Sequence, residues 1–114
     1  MQLKTVKYLE DINIACGHIT DFTKGKDYLG FKNDIQLKFA IERLFITIGE
    51  VANKLSKNCD IHLKSESSIV ALRNVMVHDY NSLHDDLIWQ IIETDLVDLK
   101  IEIEELIKKY EQEL

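Results

Sequence analysis

The sequence predicts an all-α fold, an up-and-down bundle of four main helices. Three observations carry that reading. The 114 residues contain no proline and only four glycines, so nothing punctuates the chain as a series of strands would require. Apolar residues recur at steps of three and four along the chain. The polar segments between these stripes are short, which makes successive helices antiparallel neighbours.

The first helix is expected over residues 3–22, with Val6, Leu9, Ile12, Cys16, Ile19 and Phe22 on its inner face. Residues 24–30 read as a turn, with room for one loose helical turn. The second helix starts after Asp34, a residue suited to the N-cap, and ends near Leu55. Its stripe Leu37, Ile41, Leu44, Ile48, Val51 and Leu55 is flanked by a second line, Phe45 and Ala52. A face this wide can meet more than one neighbour, a second subunit included. Residues 56–64 read as a polar connection. The third helix carries Ile69, Leu72 and Met76 inward and ends near His78. After a break at residues 81–83, Asp85 is expected to cap one long helix to about Gln112, with Ile92, Leu96, Leu99, Ile103, Leu106 and Tyr110 facing in.

Apolar residues make up 46% and charged residues 30%, which fits one soluble domain over residues 1–114. No stretch reaches the roughly 18 apolar residues that span a bilayer, and the first eight residues lack the apolar core of a signal peptide. A cytoplasmic location without membrane attachment is the expectation. Cys16 and Cys59 then read as free thiols packed as small hydrophobes. The pairs Cys16-x-His18 and Cys59-x-x-His62 do not extend to a set with zinc spacing, so neither a metal nor any other cofactor is expected.

The net charge of −6 argues against strong non-specific nucleic-acid binding, but it is unevenly spread. Residues 81–114 hold ten acids against three bases, and residues 1–80 hold ten acids against eleven bases. The acidity belongs to the last helix, and a cleft gripping one phosphate is compatible with the rest.

Arg43 and Arg73 are the only arginines. Arg73 is followed by Asn74, and His78 comes four residues after that, on the same helix face as Asn74. A cation, an amide and an imidazole thus meet near one helix end. An imidazole with a pKa near ~6.5 can take the proton from a ribose 2′-hydroxyl, and a guanidinium fork can hold phosphate oxygens as charge builds on them. The same residues also fit a plain helix end, where a histidine meets the last carbonyls and an Arg-Asn pair is a solvated face.

The run Arg73-Asn74-Val75-Met76-Val77-His78-Asp79-Tyr80 resembles the Arg-x-x-x-x-His-x-Tyr signature of HEPN domains. Together with Leu9-Glu10-Asp11-Ile12, the run from Ile48-Gly49-Glu50 to Ser56, and Asp86-Leu87-Ile88-Trp89, it makes nearly the whole chain similar to the HepT toxins of HepT/MntA toxin–antitoxin pairs. Where that family has a Pro-Trp pair ahead of the third helix, this chain reads Ile61-His62-Leu63-Lys64, and Ala71 replaces a glycine. The resemblance implies a homodimer with facing motifs and metal-independent RNA cleavage. It makes Arg73 and His78 catalytic, with Asn74 in support. It also implies a partner, a minimal nucleotidyltransferase antitoxin of the MntA kind, that transfers AMP to Tyr80. The alternative is a catalytically silent HEPN domain that serves only as acceptor or partner of that enzyme. Glu50, Lys54, Lys57 and His84 are secondary candidates for contact with the motif or with RNA, and Trp89 is expected in the core.

Overall fold

The computed structural model describes residues 2–78 and 84–114, with the backbone alone at residues 2, 71 and 75–78. Every regular element among them is helical: α1 (Gln2–Thr23), α2 (Tyr28–Lys32), α3 (Ile35–Cys59), α4 (Glu66–His78), α5 (Asp85–Glu93) and α6 (Asp95–Gln112).

The central helix is α3. It packs against α1 on one side and α4 on the other, and α6 closes against α1. The Thr5 hydroxyl, at the start of α1, donates to Cys59 Sγ, at the end of α3, over 3.3 Å, so those two helices run antiparallel. The expected stripes supply the core. Leu9, Ile12, Cys16 and Ile19 of α1 meet Ile41, Phe45, Ile48, Ala52 and Leu55 of α3, and all are inaccessible or nearly so. Ile69 and Leu72 of α4, Ile88 of α5, and Leu99 and Ile103 of α6 complete it. Burying each of the leucine, isoleucine and phenylalanine side chains among these contributes about 1.5–3 kcal/mol.

The structure redraws four local expectations. Phe22 is not core: it is 45% exposed and stacks on His18 one turn earlier, with ring centroids 5.8 Å apart. The apolar stripe of α3 stops at Leu55, but the helix continues through Ser56–Cys59. It ends where Asp60 turns left-handed at φ 53°, a conformation aspartate tolerates better than most residues. The Asp60 and Ile61 N–H groups both reach back to the Leu55 carbonyl, the second at 3.2 Å, and so close the helix end. By contrast, the other end of α3 forms as its sequence indicates, with Asp34 Oδ1 accepting from the Leu37 N–H at 3.0 Å.

The long last helix is two. Thr94 breaks it at φ −115°, ψ −69°, and its hydroxyl donates to the Gln90 carbonyl at 2.7 Å, a back-bond that bends helices. The break turns α5 toward α2, where Trp89 stacks on the fully buried Phe31 at 5.3 Å. Asp85 does not cap α5. His84 occupies the N-cap position, and the Asp85 carboxylate is buried against α3, where its Oδ2 accepts from Lys38 Nζ at 2.9 Å.

Candidate functional site

Arg73 stands where α4 crosses α3 at Gly49. A Cβ built on Gly49 would lie 2.8 Å from Arg73 Cβ, 3.1 Å from its Cγ and 3.5 Å from the Ile69 carbonyl oxygen. Only a residue without a side chain lets the two backbones approach this closely. A mid-helix glycine costs about 1 kcal/mol relative to alanine, so this one is retained against its local propensity. Gly17, the other glycine inside a long helix, has nothing within 4 Å of its built Cβ.

Past the crossing, the guanidinium spreads over polar partners. Its Nη1 donates to Asn74 Oδ1 at 2.9 Å. Its Nη2 faces Glu50 Oε1 at 3.9 Å, an ion pair beyond hydrogen-bond range. The Nε is buried and has no partner among the described residues. The Arg73 side chain is 35% exposed, so its stem is covered while the fork still meets solvent. Asn74 is exposed, and its carbonyl oxygen serves the arginine, which leaves the amide hydrogens to donate outward.

His78 is the last residue of α4, four residues or about 6 Å along the axis from Asn74. The His78 side chain lies outside the described residues, as does Tyr80. The structure therefore brings together Arg73 and Asn74 of the expected set and adds Gly49 and Glu50 from α3.

A second polar group borders the start of α5. The Lys38–Asp85 pair has side chains only 22% and 12% exposed, and Asp85 Oδ1 has no partner among the described residues. Glu42, one turn along α3 from Lys38, is held above the usual carboxylate range, first by burial and further by the Asp85 charge, with Lys38 opposing.

The Cys-x-x-His pair of the sequence is divided between unrelated contacts. Cys59 accepts from Thr5, whereas His62 sits in the connection between α3 and α4, with Nε2 3.1 Å from Asp60 Oδ1 and Nδ1 3.1 Å from Ser56 Oγ and 3.4 Å from Glu66 Oε2. These bonds, Asp60 first and Glu66 next, raise the imidazole pKa above its ordinary 6.5. Burial pushes the Cys16 thiol up to about 12, which makes it inert. Among the described residues no group of three or more His, Cys, Asp or Glu side chains could hold a metal ion, and no helix is long and apolar enough to cross a membrane.

The family model described as ribonuclease HepT-like matches residues 12–106, a span that contains both the Gly49 crossing and the Arg73–His78 run. The chain belongs to the HepT-like ribonuclease family. MJ1380 of Methanocaldococcus jannaschii, named as an RNase, is 31% identical over 109 residues, covering 91% of this chain and 98% of that protein. A Thermococcus cleftensis protein named as ribonuclease HepT is 31% identical over 104 residues, covering 89% of this chain and 94% of its own. TTE0752 of Caldanaerobacter subterraneus, also named as an RNase, is 28% identical over 104 residues. No solved structure matches.

In this HepT-like chain, Gly49 is the site residue whose part the sequence hides. Its signal was a lone glycine inside an otherwise continuous apolar stripe, in the same Ile48-Gly49-Glu50 run that carries the family likeness. What passes over it is set only by tertiary packing.

Proposed function

We propose that this chain is a single-domain ribonuclease toxin that cuts RNA without a metal, in a cleft between two copies whose motifs face each other. The observation that carries the reading is the held guanidinium. Arg73 has its stem fixed at the Gly49 crossing and its fork steadied by Asn74, on the same helix that His78 ends. In this reading His78 takes the proton of a ribose 2′-hydroxyl, and the oxygen attacks the adjacent phosphorus. The bond to the 5′-oxygen breaks, that oxygen is protonated as it leaves, and a 2′,3′-cyclic phosphate remains. Arg73 holds the phosphate oxygens as their charge grows. Two copies of Arg73 in one cleft also offset the acidic last third of the chain.

The control we propose follows the type VII pattern. A minimal nucleotidyltransferase encoded beside the toxin transfers AMP to Tyr80, and the added phosphate charge competes with RNA for Arg73. The whole system acts in the cytoplasm.

The test is cleavage of a mixed RNA pool by purified protein in EDTA. Wild type should cut and leave 5′-hydroxyl ends. Arg73→Ala and His78→Ala should each lose about 10²–10⁴ in rate while keeping their helical circular dichroism. Full activity in His78→Ala overturns the reading.

A further inference from the structure

We infer that Gly49 and Glu50 form a seat for Arg73 in which Glu50 is a positioning residue that aims the guanidinium without occupying it. The consequence for catalysis rests on the ribonuclease reading, whereas the seat itself is a matter of geometry.

An arginine side chain is long and freely rotating, so a useful fork needs fixing at both ends of its stem. At the near end the fixing is steric. The Gly49 backbone leaves a notch that the Arg73 Cβ and Cγ fill, at distances no other residue would permit. At the far end it is polar and lopsided. Asn74 takes one hydrogen of Nη1 at 2.9 Å, a bond that orients that side of the fork. Glu50 draws the other side, but its Oε1 stands 3.9 Å from Nη2. At that distance the carboxylate attracts the charge and takes none of the donor hydrogens. Nη2 therefore meets a phosphate with its hydrogens uncommitted among the described residues. A glutamate in full bidentate contact would instead compete with the substrate for the same fork.

Glu50 is 45% exposed and reaches the site from the position of α3 directly after the notch. Gly49 and Glu50 thus act as neighbours on one helix upon one residue of the next.

The test is Glu50→Gln, read by kinetics and by the side-chain Nε–H signals of arginine in nitrogen-15 NMR. Arg43 and Arg73 give the only two such signals, and Arg73→Ala assigns them. In wild type the buried Arg73 Nε–H should exchange slowly with water. In Glu50→Gln it should shift and exchange faster while the melting temperature stays put. The rate constant kcat should fall by about tenfold, because the fork is misplaced. KM should stay level or drop, because a negative charge beside the phosphate is gone. Glu50→Asp should recover part of kcat. An unmoved Arg73 signal, an unchanged kcat, or a raised KM at constant kcat would each overturn the inference. Should the wild-type chain cut no RNA, the ribonuclease reading fails, and the NMR signal still decides whether the seat exists.

Discussion

Lys38 Nζ lies 2.9 Å from Asp85 Oδ2, and this one contact joins the early part of α3 to the first residue of α5. Both groups are largely out of water, and the second carboxylate oxygen of Asp85 has no partner among the described residues. The pair therefore matters more through what its loss would strand than through its own attraction. Lys38→Met should destabilise the protein by about 2 kcal/mol, because it leaves an uncompensated, mostly buried carboxylate. Adding Asp85→Leu to that variant should return most of the loss. Urea denaturation of the two variants beside wild type checks this, and equal stabilities throughout would show the contact to be idle.

Gly49→Ala sets two opposing effects against each other. Alanine is the better helix former by about 1 kcal/mol, but its methyl would sit 2.8 Å from a Cβ that cannot swing away. The helices must part, at a cost of about 1–3 kcal/mol, so a net loss of about 1 kcal/mol is expected. RNA cleavage should fall much further, since Arg73 moves with α4. Gly17→Ala, where the space is open, should stabilise by up to about 1 kcal/mol and leave cleavage intact. Thermal melts and cleavage rates for the two variants make the comparison.

Much of this was legible in the sequence, and the gaps have physical causes. The apolar stripes of α1, α3 and α6 could be read because period 3.6 shows directly which residues share a face. Phe22 fits that period and is nonetheless exposed, because periodicity does not reveal whether a neighbour covers a given position. The split at Thr94 is hidden because Ile92, Leu96 and Leu99 keep their spacing across it, while only the backbone angles of Thr94 depart from the helix. Asp85 looked like a cap because its partner, Lys38, is 47 residues away. The Arg73–Asn74 pair was visible as a motif and Glu50 as a candidate. The distance that gives Glu50 its part comes from the α3–α4 crossing, and a single sequence does not encode that crossing in any local pattern.

Control through Tyr80 makes a prediction independent of the cleavage chemistry. On the proposed control, coexpression with a cognate nucleotidyltransferase should raise the mass of this chain by one or more AMP units. Tyr80→Phe removes the phenolic nucleophile and should abolish the increase, leaving a chain that such a partner does not silence. Intact-mass spectrometry and colony counts report the two effects separately. Equal neutralisation of Tyr80→Phe would show that the partner works by binding alone.

The pH dependence of stability should fall in two windows, both in the same direction. Glu42 has a folded pKa raised above its ordinary 4.5 by burial and the nearby Asp85, against the pull of Lys38. A raised pKa means the folded chain holds the proton more tightly than the unfolded one. Its contribution is fully present below 4.5 and is lost as pH rises through the folded value. His62 is raised from 6.5 by its bonds to Asp60 and Glu66, so its contribution is intact below 6.5 and fades above it. Stability should therefore decline from mildly acid toward alkaline pH. Glu42→Gln should remove the lower decline and be the more stable protein at pH 8, with little difference from wild type at pH 4. His62→Asn should flatten the upper window and leave the lower one unchanged. Urea midpoints at half-unit pH steps for the three proteins separate the windows. A wild-type midpoint that climbs with pH relative to Glu42→Gln would reverse the sign and show that Lys38 outweighs burial at that carboxylate.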